Sequence, residues 1–136
     1  MSEPADLQDH TSLALFTESA RKSGVCWLAL PDDQGRFRDR LAWHVWYDGG
    51  LLVLSGPDEQ SLPGLPDSSS VEVALRSGDN GGLLVRRRCQ VRAVGPSDPG
   101  WDAAAAALLS GRLNHGPVSP TLDRWRRSAT FHLLLP

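Results

Sequence analysis

The sequence predicts a mainly β fold: a six-stranded antiparallel barrel with flanking helices. Two short segments, residues 48–50 (Asp-Gly-Gly) and 78–82, have the composition of tight hairpins, and each lies between two apolar runs. Strands joined by hairpins pair in the antiparallel sense. Six strands with one apolar face close best as a small barrel, because closure removes exposed strand edges.

The strands follow from compact apolar runs that end at turn residues. They are predicted at residues 25–30, 40–47, 51–55, 71–77, 83–94 and 129–135. The stretch 56–70 is rich in Pro, Ser, Asp and Gly, and we expect a loop there with one short helical turn.

Helices are predicted on either side of the strands. Residues 11–21 have helical spacing of apolar residues, and Gly24 is a plausible stop signal. The alanine-rich residues 101–113 favour a second helix, which residues 114–120 should end. We expect residues 1–10 to form an N-terminal arm and residues 11–136 to form a single domain.

Length and composition exclude several classes of protein. The chain has 136 residues, of which 40% are hydrophobic and 22% charged, as in one globular domain. Its net charge of −2 argues against a nucleic-acid or anionic membrane partner. No apolar run approaches the roughly 20 residues of a membrane helix, and the acidic N-terminus is unlike a signal peptide, so the expected location is cytoplasmic. Cys26 and Cys89 lack CxxC partners and are expected to be buried thiols.

The most informative segment is residues 41–56, LAWHVWYDGGLLVLSG. Strand alternation places Trp43 on one face and His44 and Trp46 on the other. A strand with large aromatic residues on both faces must be covered on both sides. One cover is the barrel core, and the other is a partner subunit, a helix or a flat ligand.

Arginine supplies nearly all the positive charge, since Lys22 is the only lysine among 14 basic residues. In the predicted strand 83–94, Arg86, Arg88 and Arg92 share one face. This stripe could bind a phosphate or carboxylate, or it could form cross-strand ion pairs with acids such as Glu72. Arg87 falls on the apolar face and therefore needs a buried partner.

The histidines lie on four predicted elements without metal-ligand spacing, so no metal site is expected. They are His10, His44, His115 and His132. His44 is interpreted as a buried, hydrogen-bonded residue, with a haem ligand as the alternative. The chain has no G-x-S-x-G motif, and we assign no catalytic residue.

Three segments together resemble the pyridoxamine 5′-phosphate oxidase-like (FMN-binding split β-barrel) family. They read WHVWYDGGLLVLSGPDEQSLPGL, VEVALRS and LLVRRRCQVRAV, and the matching order of elements covers residues 12–136. The resemblance implies a split barrel and a homodimer that holds a small-molecule ligand at the dimer interface. It also implies a flavin-binding oxidoreductase with FMN, while deazaflavin F420 and no cofactor are alternatives.

The resemblance also implies a set of cofactor-binding residues. Trp43, His44 and Trp46 would border the flavin ring. The phosphate end would be lined by Ser55, Gly56 and Gln60. Arg88, on the basic stripe, would replace a lysine that flavin-binding members carry in the loop after the Ser-ending strand.

That loop departs from the family pattern. Flavin-binding members carry Ser-Arg-Lys or a lone lysine there, whereas this chain has Asp58-Glu59-Gln60-Ser61. Two acids beside a phosphate dianion would repel it by at least about 1 kcal/mol. The alternative function is therefore a cofactor-free binding or structural protein that has lost the flavin phosphate site. The basic residues around Trp125 either reach a cofactor or form a surface turn with Trp125 packed on the barrel.

Overall fold

The computed structural model describes residues 3–112 and 116–136, with side chains described from Asp9 onward. The elements in chain order are α1 (Glu3–Lys22), β1 (Val25–Pro31), β2 (Phe37–Trp43), β3 (Val45–Tyr47), β4 (Gly50–Ser55), β5 (Ser70–Arg76), β6 (Leu83–Val94), α2 (Trp101–Gly111), α3 (Val118–Ser128) and β7 (Thr130–Leu135). None of the described helices is long and apolar enough to cross a bilayer.

The strands form one antiparallel sheet in the order β2-β1-β5-β6-β7-β4-β3. Its two edge strands, β2 and β3, are separated in the chain only by His44. The sheet therefore curls into a half-barrel whose edges meet at this residue. The His44 backbone N–H donates to the Gly24 carbonyl over 3.0 Å, which ties the junction to the start of β1.

The predicted mainly β, antiparallel fold class is confirmed, but the described residues form seven strands where six were predicted. The predicted strand 40–47 is two strands that break at His44. Alternation of side chains continues through the break, so the sequence pattern does not reveal it. The break arises because the chain passes from one edge of the sheet to the other.

Two apolar layers pack on opposite faces of this sheet. The barrel core lies inside the curl, where Phe16 and Ala20 of α1 cover it. The helix core lies on the other face, beneath α2 and α3. Strand β4 is buried along its whole length because Leu51 and Val53 enter the barrel core while Leu52 and Leu54 enter the helix core. The expected cover on both faces is thus present, and helices supply the second one.

Helix boundaries differ from the prediction at the N-terminus. Helix α1 begins at Glu3 and not near Thr11, so most of the predicted arm is helical. Helix α2 begins at Trp101, as expected, and is described to Gly111. Its predicted end at Leu113 lies outside the described residues, as do Asn114 and His115. The division into an arm and a single domain stays a prediction.

Helix α3 was not predicted, because Pro117 and Pro120 suggest a break. Pro117 is in fact the N-cap, and Pro120 lies in the first turn, where a missing backbone N–H breaks no helical hydrogen bond. The helix buries Thr121 and Trp125, which are four residues apart and so lie on one face. Trp125 is fully buried and meets Phe131 edge-on at 5.9 Å between ring centroids, so the packing of Trp125 on the barrel is confirmed.

Gly50 provides a test of how closely β4 and β7 pack. A Cβ atom at this position would lie 2.5 Å from the Leu134 carbonyl oxygen, a backbone atom that cannot move without shifting the strand. We expect Gly50→Ala to lower the free energy of unfolding by about 2 kcal/mol, as overpacking typically does. Gly24→Ala is the matched control, since no atom lies within 4 Å of its added Cβ. Equal urea midpoints for the two variants would contradict this packing.

Candidate functional site

The residues expected around a flavin ring lie on both faces of the sheet. Trp43, at the end of β2, is half-buried and packs against the helix core. Trp46, on β3, packs against the barrel core. The structure therefore does not bring the two tryptophans together on one surface.

His44 is buried between β2 and β3, and its ring nitrogen Nε2 lies 2.9 Å from the Ala20 carbonyl oxygen. A carbonyl only accepts hydrogen bonds, so Nε2 carries the proton and donates. The other nitrogen, Nδ1, is buried with no partner in the structure. Burial lowers the pKa of His44, although the bond to Ala20 opposes this shift. His44 is thus the buried, hydrogen-bonded residue that the sequence predicts.

Two buried histidines make the fold sensitive to acid. Burial lowers the pKa of both His44 and His132 in the folded chain. Histidine in an unfolded chain titrates near pH 6.5. Below that pH the unfolded state binds protons that the folded state does not, so the stability contributed by these groups is full above about pH 6.5 and is lost as the pH falls toward their folded pKa values.

We expect the free energy of unfolding to fall between pH 7 and pH 5, because both histidines have a lower pKa in the folded chain than in the unfolded one. Urea unfolding across this range measures the change. The double variant His44→Gln/His132→Gln, although less stable overall, should lose this pH dependence. A wild-type stability that is flat from pH 7 to pH 5 would contradict the expectation.

The residues expected at the phosphate end form bonds within the protein. Ser55 is buried, and its hydroxyl lies 3.1 Å from the hydroxyl of Thr130 at the start of β7. Gly56 faces the end of α3, where an added Cβ would lie 2.9 Å from the Ser128 carbonyl oxygen. Both residues therefore lie where β4, β7 and α3 pack together.

The Gln60 carboxamide makes two hydrogen bonds to the backbone of Trp43. Its Oε1 accepts from the Trp43 N–H over 2.8 Å, and its Nε2 donates to the Trp43 carbonyl, also over 2.8 Å. The carboxamide thus takes the place of a neighbouring strand at the end of β2. Its hydrogen bonds are committed to the fold.

Glu59 is the unexpected residue of this loop. Its side chain is only 3% exposed. One carboxylate oxygen accepts from Nη2 of Arg124 over 3.0 Å and from Nε1 of Trp125 over 2.8 Å, while the other accepts from Nη1 of Arg112. These four residues, named here the Glu59 cluster, join the β4–β5 loop to the end of α2 and to α3.

The Glu59 cluster has a net positive charge, whereas the two acids in the loop sequence predict a negative charge at this position. Burial alone would raise the pKa of the Glu59 carboxyl, but hydrogen bonds from Arg112, Trp125 and Arg124 outweigh it and hold this pKa below its usual value. One anion and two cations leave a formal charge of +1. Glu59 thus points inward to arginines, and only Asp58 of the two acids is exposed. The arginines are distant in sequence, and the only hint of them was the basic run around Trp125.

A small cavity adjoins the Glu59 cluster. It has a volume of about 140 Å³ and is lined by Trp43, Leu54, Glu59, Gln60 and Arg112. The Arg112 guanidinium lies 5.8 Å from the Trp43 ring centroid. Sites for drug-sized ligands typically measure about 300–1,000 Å³, so this cavity is too small for a flavin.

The arginine stripe on β6 forms ion pairs. Arg88 is exposed, and its guanidinium donates to the Ser70 hydroxyl over 3.0 Å and lies 3.9 Å from the Glu72 carboxylate. Arg92 lies 3.8 Å from Asp48. Arg87, for which a buried partner was expected, pairs instead with the exposed Asp9 of α1 at 3.1 Å.

A second polar cluster lies on the outside of the half-barrel. Arg86 of β6 reaches Asp39 of β2 with two hydrogen bonds of 3.0 and 2.7 Å. Arg76 lies 3.7 Å from the same carboxylate and 5.4 Å from the Trp27 ring centroid. The hydrogen bonds from Arg86 are the main cause of a lowered pKa for the Asp39 carboxyl.

This cluster lies in a surface that we name the outer face, formed by outward side chains of β1, β2, β5 and β6. Its members are Val25, Trp27, Asp39, Leu41, Ala74, Arg76, Leu84 and Arg86. Three of its apolar residues are exposed: Leu41 by 57%, Leu84 by 45% and Val25 by 39%. A groove of about 530 Å³ runs between this face and the end of α1, with Trp27 and Arg76 among its lining residues.

Metal binding finds no support in the part of the chain that the structure describes. Within residues 3–112 and 116–136, no group of three or more His, Cys, Asp or Glu residues could hold a metal ion.

Comparison with known proteins identifies the fold of the chain. No family model and no curated protein matches the sequence. Among solved structures, HutZ, the heme storage protein of Vibrio cholerae, has a TM-score of 0.64 at 15% identity over 89% of this chain and 87% of its own. A FAD-binding protein from Mesorhizobium loti has a TM-score of 0.59 at 17% identity over 88% of this chain and 84% of its own.

A third structure represents the family that the sequence resembles. This protein of the pyridoxinephosphate oxidase family, from Clostridium acetobutylicum, has a TM-score of 0.57 at 9% identity over 92% of this chain and 83% of its own. Identities this low establish the fold and leave the ligand open. Together with the curled antiparallel sheet and its flanking helices, these likenesses show that the chain has the split-barrel fold of the pyridoxamine 5′-phosphate oxidase-like proteins.

Proposed function

We propose that this chain is a homodimeric split-barrel binding protein that does not hold a flavin phosphate in its β4–β5 loop. The Glu59 cluster carries the proposal. Two basic groups at this loop, Arg112 and Arg124, already bind the chain's own carboxylate. A phosphate would have to displace a buried anion from its counter-ions.

The other expected phosphate ligands support the same conclusion. The Ser55 hydroxyl pairs with Thr130, and the Gln60 carboxamide holds Trp43. A phosphate that took the Ser55 hydroxyl or the bonded N–H of Gln60 would break an internal hydrogen bond, and a buried group left without its partner costs about 1–3 kcal/mol. FMN therefore does not fit the predicted residues, and we derive no redox step from them.

Dimerisation through the outer face is the second part of the proposal. Exposed apolar side chains there surround a centre formed by Trp27 and the Asp39–Arg86 pair. Tryptophan and arginine are enriched at the centres of protein interfaces, and one self-complementary patch suits a two-fold dimer. The groove beside Trp27 would then be a ligand site at the dimer interface.

The dimer can be tested at Leu41. We expect Leu41→Arg to convert the dimer to a monomer in a native mass measurement, because it buries an unpaired charge at the interface. Val118→Arg is the matched control: Val118 is 51% exposed at the start of α3 and is not a member of the outer face. A monomeric wild type, or two variants that dissociate equally, would remove the outer face as the interface.

A flavin-type oxidoreductase is the second candidate, and the groove beside Trp27 favours it. At about 530 Å³ the groove is large enough for a planar ligand. Trp27 would border a flavin or F420 ring, while Arg76 and Lys22, which also line the groove, would offer positive charge to its phosphate. The bound flavin would supply the redox chemistry, and these residues would bind and orient it.

A fluorescence titration with FMN and with F420 separates the two candidates. The leading proposal expects no saturable binding by the wild type at micromolar concentrations. Saturable binding that Trp27→Ala weakens at least tenfold would overturn it in favour of the second candidate. A cytoplasmic location belongs to the proposal as well, since both cysteines of the chain are free and buried.

A further inference from the structure

We propose that the Glu59 carboxylate occupies an anion-binding site formed by Arg112, Arg124 and Trp125, and that this site accepts a small tetrahedral oxyanion such as phosphate once the carboxylate is removed. The inference deepens the proposed function, on which it rests: the loop lacks a phosphate site because the chain supplies its own anion. It differs from simple loss of the site, because the binding groups are retained.

The Glu59 carboxylate leaves one buried donor of this site without a partner. Arg112, Arg124 and Trp125 all donate to Glu59, yet Nε of Arg124 is buried without a hydrogen-bond partner in the structure. The cluster keeps a formal charge of +1. A phosphate has four oxygens and up to two negative charges, so it matches both the number of donors and the charge of two guanidinium groups better than one carboxylate does.

Two of the three donor residues, Trp125 and Arg112, are held in place by contacts that do not involve Glu59. The Trp125 ring packs edge-on against Phe131. Arg112 follows α2 directly, where its backbone N–H bonds to the Leu109 carbonyl over 3.3 Å, and its guanidinium lies over the Trp43 ring. Removal of the carboxylate should therefore leave Trp125 and Arg112 in position, which lowers the cost of ordering side chains around a ligand.

Space and access are also present. The adjoining cavity of about 140 Å³ is lined by Glu59 itself, and truncation of this side chain would enlarge it. A water molecule occupies about 30 Å³ in the liquid, so an oxyanion several times that size can enter. The Arg112 and Arg124 side chains are 33% and 35% exposed, which gives an ion a route from solvent.

The test uses Glu59→Ala with inorganic phosphate as the probe. Thermal unfolding is measured in phosphate and in chloride at equal ionic strength and pH. We expect phosphate to raise the Tm of Glu59→Ala by at least about 3 °C relative to chloride, and to leave the Tm of the wild type unchanged. Titration calorimetry with phosphate should show saturable binding to the variant alone.

Two further variants identify the site. In Glu59→Ala/Arg124→Ala, one of the two guanidinium groups is absent, and the phosphate effect should disappear. In Glu59→Gln, the amide still fills the position, and the effect should be at most a third of that in Glu59→Ala. Equal phosphate effects in wild type, Glu59→Ala and the double variant would overturn the inference.

Poor folding of Glu59→Ala does not prevent the test. The yield of soluble protein after dilution from urea is then compared in phosphate and in chloride. A higher yield in phosphate that the double variant lacks supports the site, and equal yields overturn it. FMN binding by the wild type would instead contradict the proposed function, so the two failures are distinguishable.

Discussion

Replacing Glu59 with glutamine is expected to lower the free energy of unfolding by about 3 kcal/mol, the lower end of the range for breaking a buried ion pair. The substitution keeps the shape of the side chain but removes the anion between Arg112 and Arg124. It also turns an amide N–H₂ group toward at least one of the donors. The partial exposure of both arginines limits the loss, since water can solvate their outer ends.

Urea unfolding at pH 7 measures this effect, with Asp58→Asn as the matched control. Asp58 is the preceding residue, carries the same charge and is exposed. Its replacement should change the stability by less than about 0.5 kcal/mol. A Glu59→Gln variant as stable as Asp58→Asn would show that the buried cluster contributes nothing to the fold.

The acid dependence of the wild type gives an independent check of the same cluster. Because the folded pKa of Glu59 is lowered, its stabilisation is present above about pH 4.5 and is lost as the pH falls through the folded pKa. Glu59→Gln carries no titrating carboxyl here. The stability difference between wild type and this variant should therefore shrink below pH 4.5.

Trp125→Ala is expected to cost about 4 kcal/mol, as large-to-small changes of buried tryptophans typically do. The ring is fully buried in the helix core, packs edge-on against Phe131 and donates to Glu59. Its loss leaves a cavity beneath α3 and removes one of the hydrogen bonds of the buried carboxylate. Chemical denaturation measures the total effect.

Trp125→Phe separates packing from hydrogen bonding. Phenylalanine keeps most of the aromatic contact with Phe131 but has no N–H to donate to Glu59. We expect it to cost about 2 kcal/mol, and this cost should fall markedly in a Glu59→Gln background, where the bond is already altered. A Trp125→Ala variant that unfolds at the wild-type midpoint would contradict the described position of α3.

The sequence predicts the sheet well because its signals are local. Hairpin residues such as Asp48 and Gly49 lie between alternating apolar strands, and this arrangement favours antiparallel pairing. Both residues adopt positive φ in the structure. The break at His44 has no local signal, since it results from the two edges of the sheet meeting. The same limit applies to α3, where Pro117 and Pro120 resemble a break and instead begin a helix.

The candidate site is harder to predict because its contacts join distant parts of the chain. From the sequence, Glu59 is predicted to be an ordinary loop acid, because its partners Arg112 and Arg124 are distant in the chain and are brought to it only by α2 and α3. Gln60 is likewise predicted to be a free donor, whereas in the structure its carboxamide pairs with the backbone of Trp43. Resemblance to flavin proteins indicates where a ligand site should lie, but only the tertiary contacts show which donors are already in use.

The absorbance spectrum of the protein, recorded after purification and again after incubation with excess FMN and desalting, shows whether the chain retains a flavin. If the chain's own carboxylate holds the groups that would bind a flavin phosphate, neither spectrum has bands in the flavin region. We expect absorbance from protein alone in both spectra. Flavin retained at one equivalent per chain, and lost in an Arg112→Ala/Arg124→Ala variant that remains folded, would contradict this expectation.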